Sequence, residues 1–320
     1  MRNSYTLLSS HHSLISNVAC PDSPVQNQNF FKQKYDTGSG THSFTRCSWD
    51  NSGLTSGGGA IHIVFSESHS SISLTVDDCN FLHCKESNSV GGGAISIKYI
   101  GSADIENSVF YDCECGISSD GPESAGILLL YLYSYPLIKS CSFISCTTGD
   151  DSGGCGIYCS NSTSPYAIDS CRFIKCKGTD TSSSEGGGAA IGENFMHVGV
   201  SNSLFNENHA VFGGAVEIWE DYLSSFQYPF KFCFFNNNTA TKGNDICFAS
   251  TPAQYPFLHC LSTTASSRVY NGDDNWLTHA CNKVSCQGVK TIEGIPLLTS
   301  LSFISHRRMH SHVFLNYSLH

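Results

Sequence analysis

The sequence has few charged residues and no long apolar segment. Only 14% of its 320 residues are Asp, Glu, Lys or Arg, and the formal net charge is −10. Because there is no basic stripe, nucleic-acid binding is not expected. No apolar run reaches the roughly 18 residues of a transmembrane helix, so no membrane-spanning segment is visible. Residues 1–19 have no apolar h-region, which argues against a cleavable signal peptide.

What the sequence does contain is a short phrase that returns seven times. In each copy a Phe is followed, three positions later, by Cys or Asn. The Phe residues are Phe44, Phe81, Phe110, Phe143, Phe173, Phe205 and Phe235, and their partners are Cys47, Cys84, Cys113, Cys146, Cys176, Asn208 and Asn238. Successive copies are about 30 residues apart, a period typical of solenoids, propellers and repeat arrays.

Each repeat contains two further elements. A glycine step precedes alternating apolar residues, as in Gly92-Gly-Ala-Ile95-Ser-Ile97, and predicts a strand with one buried face. A second pair of apolar columns lies seven and five residues before each Phe, as Leu74 and Val76 do before Phe81. A polar pair, here Asp77-Asp78, follows these columns and shifts the alternation of inward and outward residues by one position. This shift predicts a corner before the strand that contains the Phe.

Three short strands per repeat, with uneven segments between them, predict one turn of a coil. The uneven segments follow the first strand and the Cys or Asn, as in Ser48 to Ser56, and are expected outside the coil. The predicted fold is all-β, a right-handed parallel β-helix of about seven turns with irregular ends and one internal column of stacked Phe rings. Four-stranded propeller blades compete with this interpretation, but three strands per repeat and the lack of a Trp-Asp ending weigh against them.

The repeat pattern fades toward both ends of the chain. We expect residues 1–40 to form an irregular leader or cap, residues 41–250 the β-helix, residues 251–287 a C-terminal cap and residues 288–320 a disordered tail.

Most of the 17 cysteines lie on repeat columns. The column before the Phe contains Cys79, Ser108, Cys141, Cys171, Ser203 and Cys233. Because thiol, hydroxyl and amide groups replace one another in both columns, neither a metal site nor a cofactor is expected. Two interpretations stay open. The columns form ladders of buried thiols continued by an amide ladder, or some thiols pair as disulfides between neighbouring turns.

The alternation of the two motifs resembles the repeats of polymorphic outer membrane proteins. Gly213-Gly-Ala-Val216, Phe205-Asn-Glu-Asn208 and Phe235-Asn-Asn-Asn238 are similar to that family's Gly-Gly-Ala-Ile and Phe-x-x-Asn motifs, which alternate here from Phe44 to Phe248. Members are right-handed parallel β-helix surface proteins, with cysteine-richer versions in some parasitic protists. The resemblance implies a cell-surface or extracellular location and a role in adhesion or host contact. Cys often stands here where that family has Asn.

We therefore expect a non-enzymatic surface or secreted protein that binds an unknown surface protein or glycan. The predicted contact regions are the loops Ser48 to Ser56, Ser118 to Ser124 and Thr179 to Glu185. Sequons at Asn161 and Asn237 permit glycosylation if the chain is exported. Because no repeat pattern follows Cys286, a truncated, non-functional copy of a longer surface protein is a further alternative.

A carbohydrate-active enzyme is the main alternative, since polysaccharide lyases and hydrolases also use right-handed β-helices. Such a site needs carboxylates that converge on one exterior face. The candidates are Asp77, Asp78, Glu106, Asp112 and Asp169. Asp77, Glu106 and Asp169 share one corner column. In other repeats Lys139, Ser201 and Lys231 occupy the same position, and such variation is typical of a solvated corner. His62 is expected to be an exposed polar residue, and Asp150-Asp151 to lie in a turn.

Overall fold

The computed structural model describes residues 25–31, 35–36, 41–50, 59–86, 91–116, 124–149, 154–160, 166–178, 190–194, 198–218, 230–248, 257–258, 260–263, 269–271 and 289–291. Every regular element in these ranges is a β-strand. In chain order the strands are β1 (Val25–Gln26), β2 (Asn29–Phe31), β3 (Tyr35–Asp36), β4 (His42–Thr45), β5 (Ser48–Asp50), β6 (Ile61–Asp77), β7 (Asn80–Leu82), β8 (Lys85–Glu86), β9 (Ile95–Glu106), β10 (Val109–Tyr111), β11 (Glu114–Cys115), β12 (Ile127–Leu130), β13 (Leu137–Lys139), β14 (Ser142–Ile144), β15 (Thr147–Thr148), β16 (Ile157–Ser160), β17 (Tyr166–Asp169), β18 (Arg172–Ile174), β19 (Lys177–Gly178), β20 (Ile191–Asn194), β21 (Val198–Ser201), β22 (Leu204–Asn206), β23 (His209–Phe212), β24 (Val216–Ile218), β25 (Phe230–Lys231), β26 (Phe234–Asn236), β27 (Thr239–Lys242), β28 (Ile246–Phe248), β29 (Phe257–Leu258), β30 (Cys260–Ser262), β31 (Val269–Asn271) and β32 (Val289–Thr291).

These strands form three parallel sheets along the coil. Each strand pairs in register with the equivalent strand of the next turn, so that Phe81 opposes Phe110 and Phe110 opposes Phe143. The pairing confirms the predicted parallel β-helix, in which consecutive turns lie about 4.8 Å apart.

The first sheet has 16 strands and contains two of the predicted strand types. The glycine-step strands (β12, β16, β20, β24, β28 and β31) form one arm, and the strands before the polar pairs (β13, β17, β21, β25 and β29) form the other. Strand β9 is long enough to pair with β12 at one end and with β13 at the other, which joins the arms into one sheet.

The second sheet contains the Phe strands in the order β2-β5-β7-β10-β14-β18-β22-β26-β30-β32. Its ten strands exceed the seven that the Phe phrases predict, because parallel pairing continues on both sides of residues 41–250. Before that segment β1 pairs with β4 and β2 with β5, and after it β30 pairs with β32.

A third sheet of six strands, β8, β11, β15, β19, β23 and β27, follows the Cys or Asn of each repeat. The prediction that these residues belong to variable loops is therefore wrong. Several of these strands have only two residues, as in Lys85–Glu86, which is too short to show a period-2 pattern.

Corner residues with left-handed backbone separate the sheets. In the first corner the second member of each polar pair has a positive φ, for example 53° at Asp78 and 51° at Asn107. The next corner uses the residue two positions after each Phe, such as His83 with φ 52°. At the glycine step, Gly213 has φ 52°, and a Cβ atom there would lie 2.0 Å from the carbonyl oxygen of Val216. Glycine is therefore required at this bend.

Candidate functional site

A continuous stack of aromatic rings fills the interior along the second sheet. Neighbouring ring centroids from Phe81 to Phe235 lie 4.6 to 5.0 Å apart, with interplanar angles of 5 to 7°. The members are Trp49, Phe81, Phe110, Phe143, Phe173, Phe205 and Phe235, and all are buried. Complete burial of one such side chain contributes about 1.5–3 kcal/mol to stability. These rings are therefore committed to packing.

Phe44 does not belong to this column, although its sequence phrase predicts that it does. The structure places Phe44 opposite Val76, in the strand before the corner, and Trp49 opposite Phe81. The Trp49 and Phe81 rings stack at 4.8 Å and 2°. Cys47 shifts with Phe44 into the column before the aromatic residue, since its backbone N–H donates to Cys79 Sγ at 3.3 Å. The Phe phrase gives the wrong register for this turn because Trp49 occupies the position that Phe has in the other turns.

The column three residues after each Phe contains thiols in four turns and amides in the next two. Its members are Cys84, Cys113, Cys146, Cys176, Asn208 and Asn238, all buried. Cys176 Sγ donates to the Phe143 carbonyl oxygen at 3.7 Å, and Asn208 Nδ2 donates to the Phe173 carbonyl oxygen at 3.1 Å. Asn208 Oδ1 also accepts the Cys176 backbone N–H at 3.0 Å, and its Nδ2 donates to Asn238 Oδ1 at 2.9 Å. The Asn208 amide thus links its own turn to the two neighbouring turns. The Cys176 thiol occupies the equivalent position with a single, weaker hydrogen-bond donor.

The 14 cysteines in the described ranges are all buried and in the thiol form. Burial raises the pKa of the Cys113 and Cys176 thiols well above the usual value, so they remain protonated. Cys47 differs, because a hydrogen bond from the Cys79 side chain lowers its pKa to about 7 against the opposing effect of burial. Within the described residues, no group of three or more His, Cys, Asp or Glu side chains is arranged to hold a metal ion.

The candidate catalytic carboxylates of the corner column lie in register on the exterior. Asp77 opposes Glu106, Glu106 opposes Lys139, and Lys139 opposes Asp169. Lys139 therefore separates Asp169 from the other two carboxylates. Asp77 Oδ1 also accepts a hydrogen bond from Asn107 Nδ2 at 2.8 Å.

Asp169 is held by three neighbouring donors. Its Oδ1 accepts from Ser201 Oγ at 2.6 Å and from Asn202 Nδ2 at 2.8 Å, and its Oδ2 accepts from Ser170 Oγ at 3.1 Å. Burial raises the pKa of this carboxyl, but the three hydrogen bonds and the charge of Lys139 outweigh burial and lower it. The group is therefore suited to remain an anion rather than to donate a proton.

A histidine between two carboxylates lies at the next corner, a group that the repeat pattern did not predict. His83 Nδ1 lies 3.0 Å from Asp50 Oδ1, and its Nε2 lies 3.9 Å from Asp112 Oδ2. The His83 and Tyr111 rings are perpendicular, with an interplanar angle of 90° and centroids 5.7 Å apart. All three side chains of the Asp–His–Asp group are about half exposed. Recognising Trp49 as a column residue would have aligned Asp50 with Leu82 and placed it beside His83.

The outer face of the second sheet beside this group has an apolar row. Leu82 opposes Tyr111, Tyr111 opposes Ile144, and Ile144 opposes Ile174. These four side chains point away from the Phe stack, and each is partly accessible. Tyr111 has the greatest exposure, 37%. The row, which we call the outer apolar row, spans about 14 Å, three turn spacings, and has charged corner residues along one side.

Two tyrosines form a second exterior aromatic group, at the corner after the glycine-step strands. The Tyr99 and Tyr131 rings stack at 4.5 Å and 15°, and Lys98 Nζ lies 5.1 and 5.7 Å from their centroids. Both tyrosines have positive φ, 61° and 55°. Left-handed backbone is uncommon for bulky residues, so the stacking of the two rings compensates for an unfavourable backbone conformation at Tyr99 and Tyr131.

The other predicted site residues are only partly described. Ser124, placed at the end of a variable loop, is buried and donates from Oγ to the Gly154 carbonyl oxygen at 2.7 Å. Ser48–Asp50 is a strand rather than the start of a loop. Asn237 is exposed at a corner, with φ 50°. The remainder of the three predicted loops, Asn161 and Asp150-Asp151 lie outside the described residues.

His62, Asp78 and Asp112 occupy exterior positions. His62 is partly exposed between the buried residues Ile61 and Ile63, and Asp78 and Asp112 are exposed corner residues with positive φ. No helix in the described part of the chain has the length and apolarity that membrane crossing requires.

Comparison with known proteins gave a match to a family model, and it agrees with this architecture. Searches of curated proteins and of solved structures found no match. The sequence model of the family described as right handed beta helix region matches residues 35–240. That range covers more than half of the 320 residues and includes the Phe stack and the outer apolar row. The chain therefore belongs to the right-handed β-helix family.

Proposed function

We propose that this β-helix is a non-enzymatic binding protein of the cell surface or the extracellular space, with a role in adhesion. The observation that supports the proposal most directly is the outer apolar row of Leu82, Tyr111, Ile144 and Ile174. Interior columns are committed to packing, whereas this row presents apolar surface on the outer face of the second sheet. Exposed apolar surface beside polar residues is typical of interaction sites.

The partner that fits this face is an extended surface protein or glycan. Outward side chains recur at each turn, about 4.8 Å apart, so a long partner can make one weak contact per turn. The flanking corner includes the Lys175–Glu207 ion pair, with Lys175 Nζ 3.6 Å from Glu207 Oε2. The similarity of the motifs to polymorphic outer membrane proteins supports the same function.

Cell binding by the labelled full-length protein tests the proposal. We expect saturable binding to cultured epithelial cells in flow cytometry, reduced about tenfold when Tyr111→Ser, Ile144→Thr and Ile174→Thr are combined. The matched control combines Thr75→Ser, Lys139→Gln and Ala167→Ser, three exposed positions of the first sheet, and should bind as the wild type does. Treatment of the cells with protease or with glycosidase distinguishes a protein partner from a glycan. No saturable binding, or equal loss in both variants, would contradict the proposal.

The Asp50–His83–Asp112 group favours a carbohydrate-active enzyme as the second candidate. It is the described site where two carboxylates approach one imidazole on an exposed face, an arrangement that allows proton transfer. The test is release of reducing sugars or unsaturated products from a polysaccharide panel. Activity that disappears in His83→Gln would establish the enzyme, whereas activity lost in Asp169→Asn but kept in His83→Gln would place the chemistry at the other corner.

A further inference from the structure

The thiols of the column before the aromatic residues occur in pairs separated by serines. From the turn of β5 to the turn of β30 the column contains Cys47, Cys79, Ser108, Cys141, Cys171, Ser203, Cys233 and Cys260. Each of the three pairs occupies neighbouring turns, and a serine follows the first and second pairs. This spacing differs from that of the column after the Phe, where Cys84, Cys113, Cys146 and Cys176 follow one another without interruption.

Contacts within the column confirm which residues are neighbours. The Cys47 backbone N–H donates to Cys79 Sγ at 3.3 Å, and the Cys79 N–H donates to Ser108 Oγ at 3.1 Å. The same arrangement recurs at Cys171, whose N–H donates to Ser203 Oγ at 3.1 Å. Each serine hydroxyl thus occupies the position that the next thiol has within a pair.

The third pair follows from strand register. Phe234 opposes Leu261, so Cys233 and Cys260, each one residue earlier, lie in neighbouring turns. Ser142 opposes Arg172, so Cys141 and Cys171, each one residue earlier, also lie in neighbouring turns. All six thiols are buried.

The spacing between turns fits a disulfide within a pair and excludes one across a serine. Equivalent Cα atoms of paired strands lie about 4.8 Å apart, inside the roughly 4.4–6.8 Å range of disulfides. Two thiols with a serine turn between them are about 9.6 Å apart, which is outside that range. In-register Cβ atoms share this spacing, so they must approach one another by about 1 Å to reach the mean disulfide Cβ–Cβ distance of about 3.8 Å. Most of these residues lie at corners, as Cys79 does between the strand ends Asp77 and Asn80.

We propose that Cys47–Cys79, Cys141–Cys171 and Cys233–Cys260 oxidise to three disulfides between neighbouring turns, and that Ser108 and Ser203 confine each bond to its own pair. With glutathione disulfide as the oxidant, one cysteine thiolate attacks a glutathione sulfur and releases one glutathione thiolate. The second cysteine thiolate then attacks the mixed disulfide and releases the other glutathione. The pair loses two protons and two electrons, and glutathione disulfide gains them as two thiols.

Cys47 and Cys79 share a hydrogen bond that shifts their pKa values in opposite directions. It lowers the pKa of Cys47 to about 7 and raises that of Cys79, and both side chains are enclosed in the coil. Burial raises the pKa of Cys141 and Cys233, so these two thiols are protonated inside the folded coil. Because all six thiols are buried, oxidation of the three pairs is expected while the turns assemble, before the thiols are enclosed.

Disulfide mapping of the full-length chain tests the proposal. The protein is reduced and denatured, refolded with reduced and oxidised glutathione, alkylated, digested and analysed by mass spectrometry. We expect the three named pairs as linked peptides, and a melting temperature roughly 5–10 °C above that of protein refolded in reductant. Complete alkylation of these six cysteines, or bonds such as Cys79–Cys141, would overturn the proposal.

Two variants test the pairing rule itself. Cys171→Ser should eliminate one linked peptide, make Cys141 available to alkylation and leave the other two bonds intact. Ser108→Cys places a thiol in the separating turn, and we expect new linkages that join position 108 to Cys79 or to Cys141. If Ser108→Cys yields only the original three bonds, the serine does not confine the pairing. Far-UV circular dichroism checks that each variant retains its β-structure.

Discussion

The interior Phe column and the exterior corner column are built on the same turn spacing but differ in what they repeat. Inside, the same ring recurs from Phe81 to Phe235 at 4.6 to 5.0 Å. Outside, acidic, basic and hydroxyl residues share one column in register: Asp77, Glu106, Lys139, Asp169, Ser201 and Lys231.

The difference reflects what close stacking does to each kind of group. Identical aromatic rings gain packing and stacking energy when they are repeated at this distance. Identical charges at the same distance repel, and water supplies whatever hydrogen bonds a neighbour does not. The interior column therefore specifies the fold, while the exterior column is open to residues chosen for solubility or for partners.

The largest expected effect is the loss of one ring from the middle of the interior column. Phe143 lies between Phe110 and Phe173, with centroids at 4.6 and 4.9 Å, so Phe143→Ala leaves a cavity closed on both sides. We expect the free energy of unfolding to fall by about 3–5 kcal/mol in denaturant titration. Ile144→Ala, the next residue but on the outer face, is the control and should lose less than about 1.5 kcal/mol. Equal losses would remove the distinction between the two regions.

Much of the interior could be predicted from the sequence, because residues that lie one repeat apart are the ones that stack on each other. Spacing alone aligned Phe81, Phe110 and Phe143, since each turn adds about 30 residues and repeats one residue type. The repeat pattern misaligns the turn of Trp49, because Trp49 stands there in place of Phe and Phe44 matches the sequence phrase. It does not reveal the third sheet, because strands as short as Lys85–Glu86 have no measurable period.

The exterior could be predicted only in part, because its groups combine residues from different turns. Asp77, Glu106 and Asp169 were correctly placed in one corner column, since each stands at a fixed distance before a Phe. The Asp50–His83 contact joins residues 33 positions apart and depends on the register of the misassigned turn. Predicting such a contact requires the register of every turn, whereas predicting a column requires only the repeat length.

The second expected effect compares the amide and thiol parts of the interior column after the Phe. Asn208→Ala leaves the Phe173 carbonyl, the Cys176 N–H and Asn238 Oδ1 each without a hydrogen bond that the amide now makes. We expect a loss of about 2–4 kcal/mol, since buried polar groups without partners are costly. Cys146→Ala is the matched control in the same column and should cost about 1 kcal/mol, because a thiol acts mainly as a small apolar group. Thermal or denaturant unfolding of both variants measures the difference, and a larger loss for Cys146→Ala would show that the amide ladder adds nothing.

The smallest expected effect concerns the exterior column, where one carboxylate still contributes to stability. The pKa of Asp169 in the folded chain lies below its ordinary value of 3.8, because hydrogen bonds from Ser201, Asn202 and Ser170 and the charge of Lys139 outweigh burial. A lowered folded pKa means that the stabilising contribution is complete above the unfolded pKa and is lost as the pH falls through the folded pKa. We expect the wild type to be more stable than Asp169→Asn at pH 7 by less than about 1 kcal/mol, since the group is partly solvated and screened. The difference should shrink below about pH 4, as followed by denaturant titration at successive pH values. Ser201→Ala, which removes one donor, should show the same trend with a smaller amplitude, and a difference that grows on acidification would mean that burial, rather than hydrogen bonding, dominates at this corner.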